Sequence, residues 1–215
     1  MLLNLERLDL LIAHYVAGCL PEPAHILVGS HLEMQPSSGR LADSLDHLAG
    51  ETLDATMPLA LSSRDERLQT IFASRPRIDA PSLMADRRDP RLPRFLNAYA
   101  GRRLDDVPWK MKLPGLRQHV IEKSSGMEAS LLWARPGRAL PHHRHRGLEL
   151  TLVLQGAFED HRGAFGQGDV SVADETIVHR PVATNDSPCL CFSVLLAPIA
   201  LSGPTFRIVA DILGV

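Results

Sequence analysis

The spacing of apolar residues changes period once along this chain, and that change limits the fold more than any other feature. From Leu5 to about Phe72 the spacing is helical. Leu5, Leu8, Ile12 and Tyr15 recur at steps of three and four, which makes one stripe along a helix. Asn4 is placed to cap that helix and Gly18 to stop it. Pro21 and Pro23 open a second helix, because proline is tolerated in a first turn. Its expected core face is Ile26, Leu27 and His31, and Pro36 ends it. A third helix is expected from about Arg40 to Gly50, and a fourth from Arg64 to Phe72, started by Ser62 or Ser63. From Trp109 onward the period is two. Strands are expected at Arg117–Glu122, Glu128–Ala134, Glu149–Leu154, Asp169–Val172 and Cys189–Leu196. Turn signals such as Pro136-Gly137, Gln155-Gly156 and Asn185-Asp186 separate them. Short strands at regular spacing imply a β-sandwich or barrel. The expected fold is α+β in two domains: a small N-terminal helical bundle over residues 1–75, then a β-barrel over 106–215. Residues 76–105 carry Pro76, Pro81, Pro90 and Pro93 among charges and are expected to be a linker, with one helical turn near Phe95–Tyr99. Arg87-Arg88 and Arg102-Arg103 are read as solvated linker charges rather than a binding patch. The tail from Gly203 to Val215 is expected to add a last strand or a short helix.

Composition removes several classes of function. With 23 basic and 25 acidic side chains in 215 residues, the formal charge is −2. That balance gives no general attraction to nucleic acid or to an anionic membrane. Aromatic residues make up 5%, too few for a base-stacking surface. The three cysteines, Cys19, Cys189 and Cys191, form no disulfide framework, which suits a reducing compartment. Cys189 and Cys191 share one strand face, poorly placed to bridge, and are expected to be inert core thiols. The N-terminal MLLNLERLDLL has acids inside its apolar stretch and does not read as a signal peptide. The longest nearly uncharged apolar stretch, Cys189 to Leu201, contains Pro198 and is shorter than a membrane span. A soluble cytoplasmic protein is expected.

The most informative stretch is GRALPHHRHRGLELTLVLQG. His143, His145 and Glu149 are all odd-numbered, so on one extended strand they project to one side. Two imidazoles and a carboxylate on one face make a divalent-metal half-site. His179, at the end of a later strand, is the candidate fourth ligand. His142 has the wrong parity. Surface histidines would explain the run, but not Glu149 at the start of an apolar strand, where an unpaired carboxylate is costly to bury. A bound cation compensates that burial. A set of three His and one carboxylate accepts zinc, iron, manganese or nickel, and zinc is the ion expected here.

Gly137-x5-His143-x-His145-x3-Glu149-x6-Gly156 resembles the first cupin motif at every position. Gly168-Asp169 and His179 resemble the second motif, although Asp174-Glu175-Thr176 stands where Pro-x-Gly is usual. The resemblance implies a cupin β-barrel (double-stranded β-helix) holding one metal through His143, His145, Glu149 and His179. It extends beyond the barrel. Ala17-Gly18-x-Leu20-Pro21-Glu22, His31-Leu32, Leu104–Lys110, Pro114–Gln118, His179–Ala183 and Cys189-Leu190-Cys191 look like ChrR-type anti-sigma factors over nearly the whole chain. That likeness implies a transcriptional regulator. Its helical domain would clamp an extracytoplasmic-function sigma factor, and its cupin-like domain would sense an oxidative stimulus. It implies no direct contact with nucleic acid or membrane.

One departure matters. Zinc anti-sigma factors carry two His and a Cys-x-x-Cys in the helical domain. Here His31 is retained, but Gln35 and Ser38 stand at the thiolate positions and Glu6 at the upstream histidine. Structural zinc takes four N/S ligands in a closed tetrahedron, and Gln and Ser are weak neutral donors. No zinc is therefore expected in the helical domain, and His31 is expected to be a core or capping residue. The alternative function is a metal-dependent cupin enzyme of the dioxygenase or isomerase type, using the same four ligands. A plain metal-binding or storage module would use them too.

Overall fold

The computed structural model describes residues 2–74, 88–124, 126–144 and 147–196, with side chains from Arg7 onward. His145, Arg146, Arg87, the side chain of Glu6, the first part of the expected linker and the tail from Gly203 lie outside the described residues.

Helix α1 (Leu2–Val16) buries Leu8 and Ile12 of the predicted stripe together with Leu11, while Tyr15 is half-buried and the side chain of Leu5 lies outside the described residues. It ends where Gly18 donates to Tyr15 O and Cys19 to His14 O, the paired bonds of a Schellman stop. Helix α2 (Glu22–Met34) starts after Pro21 with Pro23 in its first turn, and it buries Ala24, Leu27, Val28 and His31. Ile26, expected in that core face, is half-buried. Helix α3 (Pro36–Asp54) is longer than expected at both ends. Helix α4 (Arg64–Ala73) follows a loop, and neither α3 nor α4 contributes a buried residue. Helix α5 (Arg94–Ala100) lies inside the expected linker.

The C-terminal region is built from short antiparallel strands. They are β1 (Lys110–Leu113), β2 (Leu116–Ser124), β3 (Met127–Ala134), β4 (His143–Arg144), β5 (Leu148–Gln155), β6 (Phe158–Asp160), β7 (Gly163–Phe165), β8 (Val170–Ala173), β9 (Val178–His179), β10 (Val182–Ala183) and β11 (Cys189–Leu196). One six-stranded sheet has the order β1-β2-β3-β11-β5-β8. Opposite it are a three-stranded sheet, β10-β6-β7, and a ribbon of β4 with β9. The result is a cupin-like β-sandwich following a helical region, an α+β chain. The five expected strands are β2, β3, β5, β8 and β11. The short strands β4, β6, β7, β9 and β10 carry too few residues to show a period.

The large sheet has two apolar faces, and this decides how the helices sit. Leu150, Leu152, Val170, Val172, Phe192 and Val194 share one core cluster with Leu8, Ile12, Leu27 and Val28 of the helices. Val153, Cys189, Cys191, Phe158 and Phe165 form the second cluster inside the sandwich. The helical region therefore covers one face of the sheet rather than closing on itself.

The second half of the expected linker is packed against that core. Leu92, Leu96, Leu104 and Val107 are buried in it. Asp89 is fully buried and accepts from Arg91 N, Arg91 Nε and Leu104 N at 2.8–2.9 Å. The Arg91 side chain holds this carboxyl well below the usual carboxylate range. Buried charge needs such partners, and Asp89 has them. Among the described residues no helix is long and apolar enough to cross a membrane.

Candidate metal centre

Three of the expected ligands meet at one end of the sandwich. His143 and His179 face each other in register on β4 and β9, with ring centroids 4.5 Å apart. Glu149 comes from β5 in the large sheet. Its Oε2 lies 3.1 Å from His179 Nε2. The ligand atoms of His143, Glu149 and His179 all fall within 4.8 Å of one another. His143 and Glu149 do not sit on a single extended strand, as parity suggested. They belong to separate strands, and Gly147 lies between them in a bend. His145 lies outside the described residues.

The set fits a divalent ion. It offers two imidazoles and a carboxylate, the N/O mixture that first-row metals accept. Glu149 and His179 are buried, so an ion there would compensate a real desolvation cost. His143 donates from Nδ1 to Pro141 O at 2.9 Å, which places its lone pair on Nε2.

Behind His179 stands a second pair that sequence reasoning missed. Asp160 Oδ2 is 3.2 Å from His179 Nδ1. Arg162 donates from Nη2 to that same oxygen at 2.6 Å. An imidazole that gives its other nitrogen to a carboxylate is the usual support for a metal ligand. Burial alone would lower the His179 pKa, but the hydrogen bonds to Asp160 and Glu149 raise it. Burial opposes ionisation of Asp160, yet His179 and Arg162 hold it well below the usual range. The only sequence trace of this pair is a charged Asp-His-Arg at a turn before Gly163, which looks like ordinary surface.

The interior next to Glu149 and His179 is a small cavity of about 50 Å³. Its walls include Thr151, Ser171, Phe158, Cys189 and Cys191. Both thiols are buried, with sulfurs 3.5 Å apart. The hydrogen bond with Cys189 and then burial push the Cys191 thiol up. The strand reading placed these cysteines in a core but not beside the ligands. Ser130, Ser193, Thr151 and Ser171 are direct neighbours across β3, β11, β5 and β8, a buried row of hydroxyls. Asp174, in the departure from the second motif, accepts from Thr176 and pairs with Arg7 of α1 at 2.6 Å.

His31 is buried and reaches the sandwich rather than the helical core alone. Its Nδ1 donates to Gly168 O at 2.7 Å. Gln35 Nε2 donates to Gln167 O at 3.2 Å. Ser38 lines the same seam.

Fold and site together define a cupin-like protein with a group of residues positioned to hold a metal ion and a helical region packed on its sheet. Residues 98–198 match the family model described as the ChrR cupin-like domain. The chain is 39% identical over 207 residues to the anti-sigma-E factor ChrR of Cereibacter sphaeroides, covering 93% of this chain and 96% of that one. The crystal structure of Rhodobacter sphaeroides SigE in complex with the anti-sigma ChrR matches with a TM-score of 0.75 and 39% identity, over 87% of this chain and 96% of that one. The chain belongs to the ChrR family of anti-sigma factors. That membership supports the regulator over the enzyme reading of the same ligands.

Proposed function

We propose that this chain sequesters an extracytoplasmic-function sigma factor in the cytoplasm through its helical region, residues 1–75. In this reading residues 76–105 connect that region to the cupin-like domain, 106–215, which holds one divalent metal, zinc by expectation. The ligands are His143, Glu149 and His179, with His145 as the fourth. The cupin-like domain receives a stress signal, and no direct contact with nucleic acid is required.

One observation carries the sigma-binding part. The first half of α3 packs Leu41, Ala42 and Leu45 against the core, but its second half, the following loop and α4 hold Leu48, Leu53, Met57, Leu59, Leu61, Ile71 and Phe72 in solvent. Met57, Leu59 and Phe72 are 86%, 96% and 83% exposed. A concentration of large apolar side chains on one segment marks a binding surface. The related ChrR crystallised with its sigma factor, which makes a sigma factor the partner to expect.

The test is co-expression of the full chain with candidate sigma factors, then size-exclusion chromatography and metal analysis. A one-to-one complex is expected. Phe72→Asp with Leu53→Asp should weaken it by about 1,000-fold, since apolar anchors at an interface each cost about 2 kcal/mol. The melting temperature should stay unchanged, because neither residue is buried. Failure of the unaltered chain to bind any of its candidate sigma factors would overturn the proposal. One bound metal per chain, lost in His143→Ala with Glu149→Gln, is expected for the sensor half. A loaded metal that survives both substitutions would overturn the ligand assignment.

A further inference from the structure

Arg162 does more than steady one imidazole. Besides its bonds to Asp160, its guanidinium donates from Nη2 to Ser171 Oγ at 2.8 Å and from Nη1 to Val172 O at 2.8 Å. It is 11% exposed, and Asp160 is fully buried. Asp160 and Arg162 therefore tie the ligand His179 to strand β8. That strand alternates between two environments. Ser171 lines the cavity beside the metal group, while Val170 and Val172 pack in the core shared with Leu8 and Ile12 of α1. It is also an outer strand of the six-stranded sheet, paired there with β5 alone.

The connection that leads into β8 is held by α2 and its C-terminal cap. The turn Gly166–Gly168 joins β7 to β8, and its carbonyls are those that accept from His31 and Gln35. Gly168 has φ +87°, and a Cβ there would meet Gln35 Nε2 at 2.7 Å. The helix end can approach this turn because the residue is glycine. Between clasp and connection lies a cavity of about 170 Å³ lined by Leu8, His31, Gln35, Arg162, Phe165 and Asp169. The bond to Gly168 O places the His31 lone pair on Nε2, which is buried without a hydrogen-bond partner. Interiors are normally close-packed and satisfied. This seam is neither, so it leaves the β7–β8 connection room to shift.

We propose that the β7–β8 connection, which links the two sheets, carries the state of the metal centre to the helical region, with Arg162 as the positioning residue at one end and the His31–Gln35 clasp at the other. The proposal rests on the metal reading above. When His179 serves as a ligand through Nε2, its Nδ1–H donates to Asp160. That bond orders Asp160 and Arg162, and through them Ser171 and Val172. Coupling between two sites is reciprocal, so loosening the clasp must also change metal affinity.

The test uses the full chain with zinc as the probe. Zinc affinity is measured by competition with a chromophoric chelator, and amide exchange is followed over residues 22–35 and 166–168, zinc-free and zinc-saturated. Zinc is expected to slow exchange in α2 by at least about fivefold in the unaltered chain. In Arg162→Met that slowing should vanish at saturating zinc, and Arg162→Lys should restore part of it. Gln35→Ala, remote from the ligands, should weaken zinc binding by about fivefold or more. If Arg162→Met does not fold, Gln35→Ala decides alone. Unchanged exchange in α2 on zinc binding, or unchanged zinc affinity in Gln35→Ala, would overturn the proposal. Absence of zinc binding by the unaltered chain would instead overturn the metal reading on which it rests.

Discussion

Leu27→Ala is the substitution that best separates one shared core from two independent ones. Leu27 is fully buried on α2 and belongs to the cluster that includes Leu150, Leu152 and Phe192 of the sheet. Truncating a leucine at such a site costs about 3–5 kcal/mol, the lost transfer energy plus the cavity left behind. In a chain of this length that corresponds to a fall of about 10 °C in melting temperature. Two probes report on different parts. Both tryptophans, Trp109 and Trp133, lie in the C-terminal half, so fluorescence follows the sheet. Circular dichroism at 222 nm follows chiefly the helices. If the two faces of the sheet serve one cooperative unit, urea unfolding of Leu27→Ala shifts both signals by the same free energy. If the helical signal falls early while the fluorescence midpoint stays at the unaltered value, the shared core does not act cooperatively. The reasoning about the two-faced sheet would then be wrong.

Other substitutions test other parts of the structure. Gly156→Ala would place a Cβ 2.4 Å from Pro188 O at φ +74°, so it should cost about 2 kcal/mol or more, and an unchanged melting temperature would refute the close approach. Burial lowers the His31 pKa, so the unfolded chain binds its proton more readily than the folded one. The neutral buried form stabilises the fold above the ordinary histidine value of about 6.5, and that contribution is lost as pH falls through the lowered value. Urea midpoints at pH 7.5 and 5.5 should therefore differ more for the unaltered chain than for His31→Gln, and equal differences would exclude His31 as the cause. A thiol reagent should react at once with Cys19 alone and reach Cys189 and Cys191 only on unfolding, as their burial requires, and three fast thiols would contradict it.

What the sequence made legible follows from how many residues carry each signal. The long strands β3, β5 and β11 are largely apolar runs of eight residues each, bounded by turn signals, so their existence was readable. The ribbon β4–β9 has two residues per strand, and it positions two of the three grouped ligands. His143 and Glu149 could be chosen by type and spacing, but their placement on different strands could not. Asp160 and Arg162 were missed because their partner His179 is distant in sequence and their local pattern is that of a polar turn. Leu92, Leu96 and Asp89 were read as linker because proline and charge dominate their neighbourhood. The hydroxyl row was missed for a different reason. Ser130, Thr151, Ser171 and Ser193 sit singly in apolar strands, and only the register aligns them.

The two-faced sheet bears on how a metal centre could act on helices at all. A signal passing between separate domains needs an interface that opens. Here Glu149, a proposed ligand, is followed by Leu150, whose side chain lies on the opposite face of β5, in the core shared with the helices. On β8, Ser171 accepts from Arg162 while Val170 and Val172 on either side support α1. One peptide unit therefore separates the site from the packing of the helical region. A change of less than an ångström at the ligands would be felt directly in a core that cannot deform continuously. The polar bonds across the seam add direction to this coupling more than strength. Arg7–Asp174 is about one third exposed and contributes little to stability, whereas His31 and Gln35 fix which turn the helix end follows. Separating the helices from the sheet would expose Leu150, Leu152, Val170, Val172, Phe192 and Val194 together, an apolar face too large to leave in water without cost. In the proposed reading the response is thus confined to small shifts of packed helices on the sheet, with the apolar side chains exposed from Leu48 to Phe72 as the part able to report them to a partner.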